Sequence, residues 1–138
     1  MASRRRDVYI SGPLFTAPER AYLEVIDKAC QDRSYSTYLP HRDAGYAKAR
    51  GSLRRKFFLA DIRMLRNSRM VVAVLNGAEV DAGTAWEVGF AFAQKKPIVG
   101  IREDLRMHEI NLMLTGSLEL VSSIQALGRR LDTILRRR

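Results

Sequence analysis

Three carboxylates in this chain sit where ordinary surface acids are rare. In "DAGTAWEVGFAFA", residues 81–93, Glu87 is the only charge after Asp81, and its neighbours are almost all apolar. An unpaired buried carboxylate costs several kcal/mol or takes up a proton instead. Glu87 is therefore either paired or facing a cavity; its alternative role is that of a helix-start acid, favoured by the dipole and bonded to a loop. Asp81 opens the same segment, where a helix N-cap is the commonest role. Asp61, in "FFLADIRMLRNS", lies between Phe57, Phe58 and Met64, Leu65. It sits on or beside an apolar helix face, with an exposed ion pair to Arg54, Arg63 or Arg66 as the competing reading. Carboxylates whose surroundings hold their pKa values apart divide the work of acid and nucleophile, the chemistry that cleaves glycosidic bonds.

Strands alternating with helices must position these groups. "DVYISGP" (7–13) reads as a first strand stopped by Gly12-Pro13, and 18–32 as a helix with Pro18 in its first turn. "SYSTYLP" (34–40) is a second strand, and residues 52–68 a second helix. "RMVVAVLNG" (69–77) is a strand buried on both faces. Residues 81–93 form the next helix, apolar enough to be expected buried all round. "KPIVGI" (96–101) is the fourth strand. A short helix around 107–114, a brief "LELV" strand and a basic amphipathic helix from 122 to 136 complete the chain.

This order predicts a single α/β domain, a doubly wound, flavodoxin- or Rossmann-like five-stranded parallel sheet with helices on both faces. Ligands of such sheets bind beyond the carboxyl ends of the strands. The loops 11–16, 40–46, 75–83 and 100–103 are thus the place to look. "SGPLFTAPER" is neither a G-x-G-x-x-G fingerprint nor a G-x-x-x-x-G-K-[ST] loop. Its Leu14 and Phe15 suit a sugar face or a flat base better than a triphosphate.

The net charge of +9 and pI near 10.3 do not make the whole surface basic. Seven of the nine formal charges lie in residues 1–6 and 129–138. We read these as a basic N-terminal tail and the basic end of the last helix, flanking a domain at 7–128. Such ends attract polyanions weakly. No aromatics are interleaved among the tail arginines, so nucleic acid is not the expected partner. One cysteine and two histidines disfavour a disulfide or a zinc or histidine metal site. No apolar run is long enough to span a bilayer, and a cytoplasmic location is expected.

The segments "VYISGPLFT", "LADIRMLRNSRMVVAVLNG", "DAGTAWEVGFAFAQKKPIVGI" with its D-x-G-x-x-x-E core, and "INLML" resemble the nucleoside 2-deoxyribosyltransferase family over roughly residues 7–127. That resemblance implies an enzyme that exchanges the base of a 2′-deoxyribonucleoside for a free purine or pyrimidine through a covalent deoxyribosyl-glutamate. It implies Glu87 as nucleophile, Tyr9 as its hydrogen-bond donor and Asp61 as the acid that protonates the leaving base. Asp81 would meet the base or sugar hydroxyls, and Phe15, beside Gly12, would wall the substrate. Ala85, Trp86, Phe90 and Ala91 would keep the pocket dry. Asn111 and Met113 match a segment that a neighbouring subunit lends to the site in a dimer or trimer of dimers; their alternatives are a helix cap and a core residue. No cofactor or metal is implied.

The loop "HRDAGYAKARG" (41–51) departs from the family pattern, leaving Asp43 as its base-contacting candidate and the base preference unread. The chain is also more basic than many of the transferases. A hydrolase acting on (deoxy)nucleoside 5′-monophosphates is the alternative, with Thr115 and Ser117 near the phosphate. A noncatalytic nucleotide- or RNA-binding protein is the third reading. Asp81 and Asn111 favour a free nucleoside, because a carboxylate repels a phosphate at close range.

Overall fold

The computed structural model describes residues 4–45, 51–104 and 110–136. Five strands form one parallel sheet, in the order β2-β1-β3-β4-β5. They are β1 (Arg6–Ser11), β2 (Thr37–Tyr38), β3 (Ser68–Val74), β4 (Ile98–Ile101) and β5 (Glu119–Val121). The helices are α1 (Ala17–Gln31), α2 (Pro40–Asp43), α3 (Ser52–Asn67), α4 (Ala82–Ala93), α5 (Leu112–Thr115) and α6 (Ile124–Leu135). The fold is the expected α/β arrangement, and strand order reverses between β1 and β3, the crevice where such sheets bind ligands.

Strand periodicity sorts the core into two layers. On one face Val8 and Ile10 of β1 and Met70, Val72 and Val74 of β3 pack with Leu23 and Ile26 of α1 and Leu127 and Leu131 of α6. On the other face Tyr9, Val71, Ala73 and Leu75 meet Met64 and Leu65 of α3 and Val88 and Ala91 of α4. Local signals start the helices. Thr16 caps α1 in a reciprocal capping box with Glu19, and Pro18 occupies its first turn. Ser123 accepts the Ala126 N–H to cap α6.

Three expectations need correction. The second strand is two residues long, because Pro40 opens α2 instead of ending a strand; its fixed φ suits a first helical turn. The short helix near 107–114 is α5 alone, beginning after Asn111, while residues 107–109 lie outside the described residues. Helix α4 is almost wholly apolar but is not buried all round. Only Thr84, Val88 and Ala91 are buried, whereas Trp86 and Phe92 are 50% and 56% exposed. One sheet can cover one stripe of a helix, and the contact of Phe58 with Trp86 leaves that ring half exposed.

Candidate active site

The carboxyl ends of β1 and β3 open into a cleft of about 570 Å3. Its walls are Leu14 and Phe15 after β1, Phe57, Phe58 and Ile62 of α3, and Trp86 of α4. The polar groups facing it are Arg54, Asp61, Asp81 and Glu87. Phe15 is 61% exposed at the rim. Trp86 meets Phe58 edge-on and stacks on Phe90, so Phe90 backs the wall. Ala91 is turned into the sheet core instead of the cleft. Gly12 also lines the cleft, and packing demands a glycine there. A Cβ would come within 2.5 Å of Leu23 Cδ2 and 3.0 Å of Val74 Cβ.

Glu87 stands one and a half turns into α4, facing the sheet. The Tyr9 hydroxyl donates to its Oε2, and Ser11 Oγ donates to Oε1 at 2.6 Å. Tyr9 and Ser11 are two residues apart on β1, so their side chains share a face of the sheet. Asp61 accepts a hydrogen bond from the Tyr38 hydroxyl at 3.0 Å, and none of the arginines weighed as its ion-pair partners takes it. Tyr38 lies in register beside Tyr9, and the two rings stack with centroids 5.3 Å apart. Two carboxylates are thus mounted on two adjacent tyrosines at one strand edge.

Burial dominates the electrostatics. It pushes the Glu87 carboxyl up to about 7 against the opposing hydrogen bonds from Ser11 and Tyr9, with the charges of Asp61 and Asp81 adding to the rise. Burial likewise pushes Asp61 up to about 6, opposed by the Tyr38 hydroxyl. Both tyrosines are raised above the ordinary phenol range, first by burial and then by these carboxylate charges, so they remain neutral donors. Both carboxyls are thus brought towards neutrality, each mainly by burial. Such an arrangement supplies a nucleophilic carboxylate and a carboxylic acid together.

Asp81 is both cap and cleft residue. Its Oδ2 accepts the Thr84 N–H at 3.0 Å and the Thr84 hydroxyl at 3.1 Å, while the carboxylate still borders the cleft. Other expected site residues are not gathered here. Asp43 accepts the Leu39 N–H at 2.8 Å and pairs with Arg42; it does not line the cleft, because closing the short α2 turn uses its carboxylate. Residues 46–50 of its loop lie outside the described residues. Asn111 caps α5 by accepting the Met113 N–H at 2.8 Å. Met113 is 72% exposed and is no core residue. Neither borders the cleft of its own chain. Thr115 and Ser117 donate to backbone carbonyls within their own turn.

Ser11 and Tyr38 are not singled out by the sequence, and Arg54 enters there only as a possible ion-pair partner of Asp61. The strand period was signal enough for Ser11. Tyr38 needed the register of β2, and Arg54 the seven-residue spacing from Asp61 that keeps it on the same side of α3. Among the described residues no three His, Cys, Asp or Glu side chains form a group that could hold a metal ion. Nor is any described helix long and apolar enough to cross a membrane.

Comparison with known proteins gives a consistent result. The family model for nucleoside 2-deoxyribosyltransferases matches residues 8–128. A conserved protein from Enterococcus faecalis V583 superposes with a TM-score of 0.81 at 26% identity, covering 94% of this chain and 98% of that one. The 2-deoxyribosyltransferase of Bacillus psychrosaccharolyticus gives 0.79 at 19% identity, over 88% and 90% of the two chains. The enzyme from Leishmania mexicana gives 0.71 at 22%, over 92% and 97%. At those identities the last two speak for the fold. No curated protein matches the chain.

Proposed function

From the premise that the chain belongs to the nucleoside 2-deoxyribosyltransferase family, we propose that it exchanges the base of 2′-deoxyribonucleosides by a two-step displacement at Glu87. The observation that supports this most is a carboxylate held by two hydroxyl donors, Tyr9 and Ser11, beside a second raised carboxyl in a largely apolar cleft.

In the first step a Glu87 oxygen bonds to C1′ as the C1′–N bond breaks. The bonding pair leaves with the base, and the Asp61 carboxyl gives that base its proton. Burial leaves Glu87 the more basic of the two carboxyls, at about 7 against about 6, so the reactive form is the one in which Asp61 carries the proton and Glu87 is ionised, the form that the Tyr9 and Ser11 donors favour. In the second step the nitrogen of an incoming base attacks C1′, the ester bond to Glu87 breaks, and Asp61 takes the base proton back. Charge developing on the sugar ring faces Glu87 at close range with little water between, where electrostatic stabilisation is strongest. Phe15, Phe57, Phe58 and Trp86 hold the base and exclude the water that would turn transfer into hydrolysis. Asp81 meets the sugar and disfavours a 5′-phosphate. Asn111 and Met113, exposed on α5 and away from their own cleft, serve the site of a second copy.

The test is to incubate the protein with 2′-deoxyinosine, with and without adenine, and to follow the products by chromatography. Transfer gives 2′-deoxyadenosine only when adenine is present, and the glycosyl-enzyme is seen as an added deoxyribosyl mass that disappears when base is supplied. Free deoxyribose without adenine, or turnover restricted to 5′-monophosphates, would replace this reading with hydrolysis.

A further inference from the structure

The parallel sheet gives the molecule a second pole. Every strand starts at the end opposite the cleft, where Arg69 bonds both to Asp7, just after the N-terminal arginines, and to Leu135 at the end of α6. Arg6 of β1 lies in register with Ser68 of β3, and its Nε donates to the Thr37 carbonyl at 3.2 Å. Arg69 Nη2 donates to the carbonyl of Leu135, the last residue of α6, at 2.7 Å. Arg136 Nε donates to the Tyr35 hydroxyl at 2.9 Å, just ahead of β2. Lys96, entering β4, donates from Nζ to the Ser68 and Arg66 carbonyls, close enough to Arg5 to feel its charge.

The acids at this pole are already matched. Asp7 pairs with Arg69, Asp32 with Lys28, and Asp132 with Arg33 and Arg136. Arg4, Arg5 and Lys95 are exposed, and no carboxylate within the described residues pairs with them. Arg6 and Lys96 bond through their side chains to backbone carbonyls, which fixes these cationic groups without neutralising them. The result is a band of positive charge across the amino end of β1, β3 and β4.

We propose that this pole binds the phosphodiester backbone of single-stranded nucleic acid without regard to sequence, as a site separate from the cleft. Charge complementarity selects the occupant: a band of cations, of which Arg6 and Lys96 are held in place, attracts a polyanion and releases its counterions. Phe92, 56% exposed beside Lys95 and Lys96, offers a ring face on which an unpaired base can stack whatever its identity, which suits a single strand bound without regard to sequence.

The test uses the full chain and a fluorescein-labelled 20-nucleotide oligo-dT, followed by anisotropy at 50 and 200 mM NaCl. Contact with three or four phosphates predicts an affinity loss of about 30-fold across that interval. An oligo-dA of the same length should bind within about threefold of oligo-dT. The variant Arg4→Gln/Arg5→Gln/Lys95→Asn should bind at least about tenfold more weakly and show a shallower salt dependence. It should keep the parent's rate of base exchange, since none of the three residues lines the cleft. Absence of binding at 50 mM NaCl would overturn the proposal, as would equal binding by the variant or displacement of the oligonucleotide by 2′-deoxyinosine. Stronger binding to phosphatidylglycerol vesicles than to the oligonucleotide would reassign the pole to membranes.

Discussion

At the carboxyl end of the sheet three acids face a cleft walled by aromatic rings, whereas at the amino end each acid is matched by an arginine or lysine at the surface. The same kinds of side chain acquire opposite properties. Around Glu87 and Asp61 water is displaced, so the carboxyls are pushed towards neutrality and become able to exchange protons and attack carbon. Around Asp132 the effect reverses. The Tyr35 hydroxyl and the charges of Arg136 and Arg33 outweigh burial and hold this carboxyl below its ordinary value. Burial makes charge reactive at one end. Solvent keeps it inert at the other, available only for long-range attraction.

The comparison breaks first at Glu87. Glu87→Ala should abolish base exchange, with a loss on the order of 10^4-fold or more, because a covalent route disappears. Asp61→Asn should cost on the order of 10^2- to 10^4-fold, the range of general acid catalysis. Its loss should be smaller for a nucleoside whose base leaves without needing a proton. Steady-state rates on ordinary and activated nucleosides separate the two. Similar losses on both substrates with Asp61→Asn would remove Asp61 as the acid.

Much of this division was legible in the sequence. The continuous apolar run of β3, the Asp81 cap and the placement of Glu87 all follow from residue type and period. Tyr38 was not legible as a partner of Asp61, because β2 is two residues long and its pairing to β1 is a tertiary fact. The exposed side of α4 was misread, since hydrophobicity tells that a face avoids water and not whether this chain can cover it. The basic tails read as two separate solvated ends. About 120 residues part them, and only the parallel topology returns Leu135 and Arg136 to the start of β1, β2 and β3.

Tyr9→Phe sharpens the reactive end. The ring keeps its stack on Tyr38, but Glu87 loses a donor to its charged form, a bond worth roughly 1.5–3 kcal/mol. Exchange should fall by about 10- to 100-fold. The pH profile gives the sign. Rate falls on the acid side as Glu87 is protonated, and the Tyr9 hydrogen bond lowers the value at which this happens. Removing it should move the acid limb to higher pH. An acid limb that stays in place would separate Tyr9 from the titration of Glu87.

Glu87→Gln tests what burial costs the fold. The folded carboxyl titrates at about 7, above its ordinary 4.5. A raised value contributes stability that is complete below the unfolded pKa and lost as pH rises through the folded one. Ionised Glu87 therefore destabilises the fold at pH 8, by on the order of 2–3 kcal/mol. The amide variant should melt several degrees higher than the parent at pH 8 and converge with it near pH 4. A lower melting temperature for Glu87→Gln at pH 8 would mean that the two hydroxyl donors more than offset burial.

Asp132→Asn should show the smallest effect, and its sign at the other pole is the informative part. Asp132 accepts from the buried Tyr35 at 2.6 Å and pairs with two arginines that lie towards solvent, where such pairs contribute little. The melting temperature at pH 7 should move by no more than about 2 °C, and base exchange should be unchanged. Because the substitution deletes a negative charge and leaves Arg33 and Arg136 less compensated, oligo-dT affinity should rise by about two- to threefold at 50 mM NaCl. Glutamine at Arg4 and Arg5 should move the same measurement the opposite way. If Asp132→Asn slowed exchange, or left the oligonucleotide affinity untouched while the arginine variant weakened it, the amino end would not act as one continuous field. The matched acids would then be part of the fold's local stitching, and the attraction would belong to the N-terminal arginines alone.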